Sequence, residues 1–463
     1  MSKKKKIRVL FCASEVAPFE KTGGLADVAG SLPPAMARYD VEILVLMPKY
    51  RNVSVSQKKI ADGVTARFIE HEEYFNRSGL YGNDRGDFPD NLQRFSFFCH
   101  EALATAKRLD FQPDIVHAHD WQTALLPVLL KTVHRADPFF AKTRSVLTVH
   151  NIAYQGHFLH KQYGNLGLDP SLFSVDGFEF YGKINFLKAG LLFADRLTTV
   201  SPTYAQEIKT KEFGFGLEGV VKKREKKLRG ILNGIDQELW NPVKDTRLAK
   251  NYSATTLEGK KACKEALQKH CGFEISASIP LYGMVTRLAE QKGLDLVSEI
   301  ADTLLEKPAQ LVVLGDGEPV YRTAFRNIAA RHPKNAAAFL NFDAMKAHTI
   351  YAGADFFLMP SYFEPCGLGQ MISMRYGALP IVRRVGGLAD TVLDADLHPE
   401  KGNGFVFVEP TPEKLMGAVQ RSLKAFKEKS RLSTLRRTAM RADFTWDKSA
   451  EEYVKLYREA MVT

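Results

Sequence analysis

"IRVLFCASEVAPFEKTGGLADVAGSL", residues 7–32, decides how the rest of the chain reads. The run from Ile7 to Ser14 is nearly continuous in apolar residues, the composition of a strand buried on both faces of a parallel sheet. Paired glycines at Gly23 and Gly24 then introduce a stretch of helical periodicity, expected to kink or restart at Pro33 and Pro34, which cannot continue the hydrogen-bond ladder. Strand, glycine turn and helix form the repeating unit of an α/β fold, and the unit recurs. Strand-like runs follow at residues 41–48, 94–100, 114–120, 145–151, 196–201 and 228–234. A second series opens at 280–288 and continues at 309–317, 337–342, 355–361, 379–385 and 404–408. Helical stretches such as 293–306 and 344–354 lie between its strands. The pattern predicts two α/β domains in tandem, each Rossmann-like with a parallel sheet.

The expected limits are 1–240 for the first domain and 241–445 for the second. Trp240 and Pro242 end the first strand–turn series, and a polar helical stretch from Leu257 to Cys271 leads into the next. Residues 446–463 read as an amphipathic helix, with Tyr453, Leu456 and Tyr457 at helical spacing, expected to pack back on the first domain. The stretch from Arg51 to Asn91 is poor in regular pattern and reads as a long loop.

The chain has 463 residues, enough for two cores, with 45% hydrophobic and 25% charged residues. No apolar run approaches the ~20 residues that span a bilayer. The lysine-rich start passes directly into a strand without a signal-peptide pattern, so the expected location is cytoplasmic, with no membrane partner. Five cysteines (Cys12, Cys99, Cys263, Cys271 and Cys366) form no CxxC pair and no zinc spacing, so no metal is expected. The net charge of +11 is partly concentrated in "KKREKK" at 222–227. Its basic runs are short and lack interleaved aromatics, which argues against nucleic acid and for a field that attracts a small phosphorylated substrate.

Several stretches carry chemistry. In "KTGGLADV", Lys21 adds a positive charge beside a helix N-terminus whose N–H groups can meet an anion. "VHAHDW" puts His117 and His119 on one face of a strand, one of them a packed core residue, with Asp120 at the strand's carboxyl end as the better contact for substrate. "TVHN" places His150 at another strand terminus. In "VTRLAEQKGLD", Arg287 and Lys292 stand between a strand and a helix, a spacing that suits a pyrophosphate held from two sides. "PSYFEPCGLGQMISMRYG" ends a strand at Glu364 and opens a helix through Cys366, Gly367, Leu368 and Gly369, so a carboxylate sits beside a nest of N–H groups fit for a sugar hydroxyl and a phosphate. Two decoys fall away. "GFEFYGKI" has Ile184 where a phosphate-binding loop needs Ser or Thr, and "LGDGEPV" lacks the third glycine of a dinucleotide fingerprint.

Together with "FLKAGLLFAD", "VSPTYAQEI", "LNGID" and "RRVGGLADTV", in this order along nearly the whole chain, these motifs resemble the bacterial glycogen synthase and plant starch synthase family of retaining glycosyltransferases. The resemblance implies a GT-B fold, two Rossmann-like domains with parallel sheets facing across a deep cleft. It implies transfer of glucose from ADP-glucose to the non-reducing 4-hydroxyl of an α-1,4-glucan such as glycogen, with retention and with no cofactor. It also implies roles. Lys21, Gly23 and Gly24 match the loop that contacts the nucleotide sugar, and Asp120 and His150 match positions that hold the donor glucose. Arg287 and Lys292 match the pair that neutralises the diphosphate, Glu364 the carboxylate near the glucose ring, and Asn233 another donor-side residue. Cys366, Gly367, Leu368 and Gly369 supply backbone to hydroxyls and phosphate, and Phe342 stands where the family usually has a Tyr stacked on adenine.

The chain departs from the family's pattern at Tyr362, usually Arg, and at Gly369, usually Thr. Ile372 stands where many other GT-B enzymes carry a ribose-binding Glu, which fits this branch. The pentapeptide "GGLAD" occurs at 23–27 and again at 386–390, and reads as two glycine turns rather than a repeat. The first is expected to touch donor phosphate; the second, behind Arg383 and Arg384, to line the far wall of the cleft. The rival readings are a synthase preferring UDP-glucose, a phosphorylase-type enzyme, for which no motif marks a Schiff-base lysine, and a non-catalytic glucan-binding or regulatory protein.

Overall fold

The computed structural model describes residues 6–83, 86–341 and 343–462. Phe342 and the lysines ahead of Lys6 lie outside the described residues. The chain forms two units, Met1–Gly234 with Trp446–Thr463, and Ile235–Thr445.

In the first unit the main sheet contains β1 (Ile7–Cys12), β2 (Val41–Pro48), β3 (Gln57–Ala61), β4 (Val64–Ile69), β5 (Ile115–His119), β6 (Arg144–Val149), β7 (Arg196–Thr199) and β8 (Leu228–Gly230). Their order is β8-β7-β6-β5-β1-β2-β4-β3. Every neighbouring pair is parallel except β3 with β4. In the second unit β9 (Leu281–Val285), β10 (Gln310–Leu314), β11 (Ala336–Phe339), β12 (Phe356–Met359), β13 (Leu379–Arg383) and β14 (Phe405–Phe407) form a wholly parallel sheet, β11-β10-β9-β12-β13-β14. Both are doubly wound. The order reverses between β1 and β5 in one unit and between β9 and β12 in the other, and such a reversal opens a crevice at the carboxyl ends of the two strands. The central strands are buried on both faces, as their largely apolar content requires.

Two local expectations are corrected, and a third, a kink or restart at the paired prolines, loses its restart. Residues 94–100 are not a strand but part of the helix Asn91–Arg108. Leu92, Phe95, Phe98, Cys99, Ala102, Leu103 and Ala106 recur at three- and four-residue spacing and are all buried, so the helical period prevails over the short aromatic run. The stretch 51–91 is not a plain loop: β3 and β4 come from it, and Val64, Ala66 and Phe68 alternate into the core. The helix Gly24–Ala37 runs through Pro33 and Pro34 without ending, its apolar face held by burial of Leu32, Pro33, Ala35 and Met36.

The C-terminal helix Trp446–Val462 belongs to the first unit. Tyr457 Oη is 2.6 Å from His117 Nδ1, Glu459 pairs with Arg229 at 2.8 Å, and Ser449 Oγ donates to the Leu232 carbonyl at 2.5 Å. The division between units falls after Gly234 rather than after Trp240. Trp240 stacks on His348 with ring centroids 4.1 Å apart, and the buried Asp245 carboxylate accepts from His348 Nδ1 and Tyr376 Oη, both at 2.6 Å, which anchors this stretch to the second unit. Among the described residues no helix is long and apolar enough to cross a membrane.

Asp355, buried just before β12, accepts the Leu281 N–H at 2.9 Å and pairs with Lys264 at 2.7 Å and with Arg436. Opposite charges hold its carboxyl below the usual range against the penalty of burial, Lys264 contributing more than Arg436. Asp355→Ala strands the buried Lys264 and the half-buried Arg436, a loss of about 3–5 kcal/mol. A lowered midpoint for the second unit in urea or thermal unfolding checks it.

Candidate active site

In the first unit the predicted residues gather at the carboxyl ends of β1, β5 and β6. Beyond β1 the chain reaches Glu15, which the sequence reading passed over. Its buried carboxylate accepts the Thr22 N–H at 2.5 Å, the Gly23 N–H at 3.1 Å, Thr22 Oγ1 at 2.9 Å and Tyr81 Oη at 2.9 Å. The glycine turn therefore already holds an anion, an internal one, on two of the N–H groups expected to face a ligand. An acidic residue three positions past a strand's end, ahead of Lys-Thr-Gly-Gly, is the signal in the sequence that marks it. Lys21 is not loose either: its Nζ pairs with Asp27 at 2.7 Å. Tyr81, from the stretch expected to be a loop, bridges Glu15 and Ser14, the latter at 2.7 Å.

At the end of β5, Asp120 adopts φ 57°, a left-handed conformation that Asp tolerates better than most residues. The turn aims its carboxylate at the end of β6, where Oδ1 accepts the His150 N–H at 2.6 Å. Burial pushes the Asp120 carboxyl up to about 7; N–H donors from His150 and Asn151 oppose the shift, and the nearby Glu15 charge adds to it. His150 Nε2 lies 2.9 Å from His119 Nδ1, and burial pushes the His150 imidazole down to about 3, so it is neutral. His117 is the packed core residue, bonded to Tyr457 and, at 2.6 Å, to Thr148 Oγ1. Asn233, just beyond β8, is buried, and its Oδ1 has no hydrogen-bond partner among the described residues.

In the second unit Arg287 and Lys292 follow β9 while Glu364 follows β12, the two strands at the switch point. Lys292 Nζ donates to Glu364 Oε2 at 2.7 Å, and Ser361 Oγ donates to the same oxygen at 3.0 Å. Arg287 is exposed. Residues Cys366, Gly367 and Leu368 make the turn before the helix Gly369–Arg375, with Gly367 at φ 73°. The second GGLAD sits directly against this turn. The Gly387 N–H donates to the Glu364 carbonyl at 3.1 Å, and a Cβ on Gly387 would meet the Cys366 carbonyl oxygen at 2.2 Å. Its glycines thus let two backbones touch and fix the Glu364 turn from behind.

The family departures have local reasons. Tyr362 Oη donates to Asp295 Oδ2 at 2.5 Å, while Asp295 Oδ1 is buried without a partner among the described residues, so a phenol satisfies one oxygen where a guanidinium can reach two. Arg383 donates to the carbonyls of Tyr362, at 2.5 Å, and Val408, at 3.1 Å, and so braces the same loop. A Cβ at Gly369 would lie 3.2 Å from both Met359 Sδ and the Phe357 ring, so the space of a larger residue is taken up by those two side chains. Ile372 is buried in the core.

Two stability effects follow from this geometry. Asp120 keeps its proton to higher pH when folded than when unfolded, so between about pH 4 and 7 the native state binds more protons and this group's contribution falls as pH rises. Asp120→Asn is therefore expected to gain stability on the parent as pH is raised from about 5 to about 8. Thermal midpoints that differ by the same amount at every pH would contradict this. Gly387→Ala forces a Cβ into the Cys366 backbone and is expected to cost about 1–3 kcal/mol, read as a lowered unfolding midpoint.

Comparison with known proteins gives the geometry a family. Residues 8–223 match the model for the starch synthase catalytic domain, and residues 274–437 the model for glycosyl transferases group 1. A glycogen synthase from Syntrophotalea carbinolica is 45% identical over 98% of this chain and 99% of its own length. One from Thermotoga petrophila is 44% identical over 98% of this chain and 99% of its own. The solved catalytic domain of starch synthase IV from Arabidopsis thaliana, bound to ADP and acarbose, superposes with a TM-score of 0.92 at 34% identity, covering 99% of this chain and 100% of that one. A sucrose-phosphate synthase from Thermosynechococcus elongatus, at 18% identity and a TM-score of 0.65 over 99% of this chain and 100% of its own, shares the fold. With two doubly wound units, polar residues at both switch points and this full-length similarity, the chain belongs to the glycogen synthase and starch synthase family of GT-B glycosyltransferases.

Proposed function

We propose that the protein transfers glucose from ADP-glucose to the 4-hydroxyl at the non-reducing end of an α-1,4-glucan, retaining the anomeric configuration. The observation that carries the reading is the Lys292–Glu364 pair at the second unit's switch point, a cation for phosphate and a carboxylate for sugar held 2.7 Å apart. The similarity to a starch synthase bound to ADP and acarbose supports the two substrate classes.

Breaking the bond between the anomeric carbon and the diphosphate leaves positive charge on the sugar and negative charge on ADP. Preorganised charges around that separation lower the barrier most. In this reading Arg287 and Lys292 neutralise the departing diphosphate, and the Cys366–Gly369 backbone meets phosphate and hydroxyls. Glu364 holds the glucose ring and keeps Lys292 oriented. Asp120 and His150 match positions that hold the donor sugar, and the unpartnered Asn233 Oδ1 accepts a donor hydroxyl. Lys21 exchanges Asp27 for donor phosphate. Because Glu15 occupies the N–H groups of Thr22 and Gly23, what the turn itself offers begins at Gly24. The acceptor hydroxyl attacks from the leaving-group face: its oxygen bonds to the anomeric carbon as the carbon–phosphate-oxygen bond breaks, and its proton passes to that phosphate oxygen.

ADP release from ADP-glucose is expected only when glycogen is present, and more slowly with UDP-glucose as donor. Release with neither donor overturns the reading; faster release from UDP-glucose reassigns the nucleotide. Lys292→Ala and Glu364→Ala are each expected to lower kcat/KM by about 10²–10³ in protein that is still folded at the assay temperature, checked by the thermal midpoint of each variant.

A further inference from the structure

His119 is buried completely on β5, and the established motifs give it no task. Its Nδ1 lies 2.9 Å from His150 Nε2. Its other nitrogen, Nε2, is buried and has no hydrogen-bond partner among the described residues. Around it stand Phe11, with ring centroids 4.2 Å apart, and His117, at 4.1 Å, whose own two nitrogens are engaged by Tyr457 and Thr148.

Only two proton arrangements satisfy the short contact between two neutral imidazoles. In one, His150 Nε2–H donates to His119 Nδ1; the His119 proton must then sit on Nε2, a buried N–H with nothing to receive it. In the other, His119 Nδ1–H donates to His150 Nε2, and the orphaned atom is a bare ring nitrogen. Buried N–H groups without acceptors are the rarer and costlier defect, because a donor stripped of water loses its only favourable partner. This difference outweighs the modest solution preference of imidazole for Nε2–H. Burial keeps both rings neutral, so a doubly protonated alternative does not arise.

We propose that His119 is a positioning residue that fixes His150 as the Nδ1–H tautomer, so that His150 offers a neutral N–H donor at its remaining edge to an oxygen of the bound donor sugar. The second half of this statement rests on the function proposed above; the tautomer itself does not. His150 Nδ1 makes no hydrogen bond within the described residues, and the residue as a whole is half-buried. Its main chain is separately held by Asp120. Orientation of the residue and choice of its tautomer are thus assigned to different neighbours.

A neutron structure of the perdeuterated full chain reads the tautomer without any turnover. Deuterium is expected on His119 Nδ1 and on His150 Nδ1; deuterium on His119 Nε2 overturns the proposal. Kinetics test the consequence. His119→Asn keeps an N–H donor close to the Nδ1 position, whereas His119→Leu fills the space and removes it. His119→Leu is expected to lose about tenfold to a hundredfold in kcat, with KM for ADP-glucose changed less than about threefold, while His119→Asn stays within about fivefold of the parent. Equal losses in the two variants, at matching thermal midpoints, overturn the positioning role. Failure of the parent to turn over any nucleotide-glucose counts against the proposed function and leaves the neutron result to decide the tautomer.

Discussion

The order of parallel strands is the constraint on which the rest of this molecule depends. A right-handed crossover from each strand to the next must leave one place in a doubly wound sheet where successive connections depart in opposite directions. Here that place is beside β1 in one unit and beside β9 in the other. Nothing about catalysis forces it; it follows from chirality and from the need to cover both faces of a parallel sheet. Yet it decides which loops are free to carry polar groups. Glu15, Lys21 and Asp120 on one sheet, and Arg287, Lys292 and Glu364 on the other, stand past the ends of the two strands that flank the reversal.

Polar groups at such a place are expensive, and each is supported by a neighbour. Asp120 leans on the main chain of β6, Glu364 on Lys292 and on Ser361, and Glu15 on the turn that follows it. These supports fix carboxylate positions before any substrate arrives, which is what electrostatic preorganisation requires. The triad of Lys264, Asp355 and Arg436 serves a different end. It lies at the opposite pole of the second sheet, ahead of β12, where charge ties secondary elements together and has no solvent-facing partner to act on.

Much of this was legible from residue order. Apolar runs long enough for buried strands, glycines before helices and polar residues just past strand ends together gave the two units and the candidate residues that stand past strand ends beside the two reversals. The misreadings have physical causes. The run at 94–100 is too short for its period to be judged by itself, and only the flanking Leu92 and Leu103 show that the apolar residues keep helical spacing. Strand β3 is mostly exposed and polar, so it carries no hydrophobic signal and exists because β4 offers an edge. The partners of Glu15 come from 7, 8 and 66 residues away and that of His119 from 31, set by the fold rather than by local pattern.

The two GGLAD segments lastly bear on how much a shared string of letters can be trusted. At Gly23 the backbone is extended, with φ −153°, and an added Cβ would meet nothing within 4 Å. At Gly386 φ is 42° and a Cβ would strike the Glu364 carbonyl oxygen at 2.0 Å; at Gly387 the obstacle is Cys366. Identical peptides therefore stand under unequal sequence constraint. The later glycine pair is locked by the backbone it touches, whereas at Gly23 no protein atom stands where a side chain would go, so any demand for glycine there comes from what the turn binds.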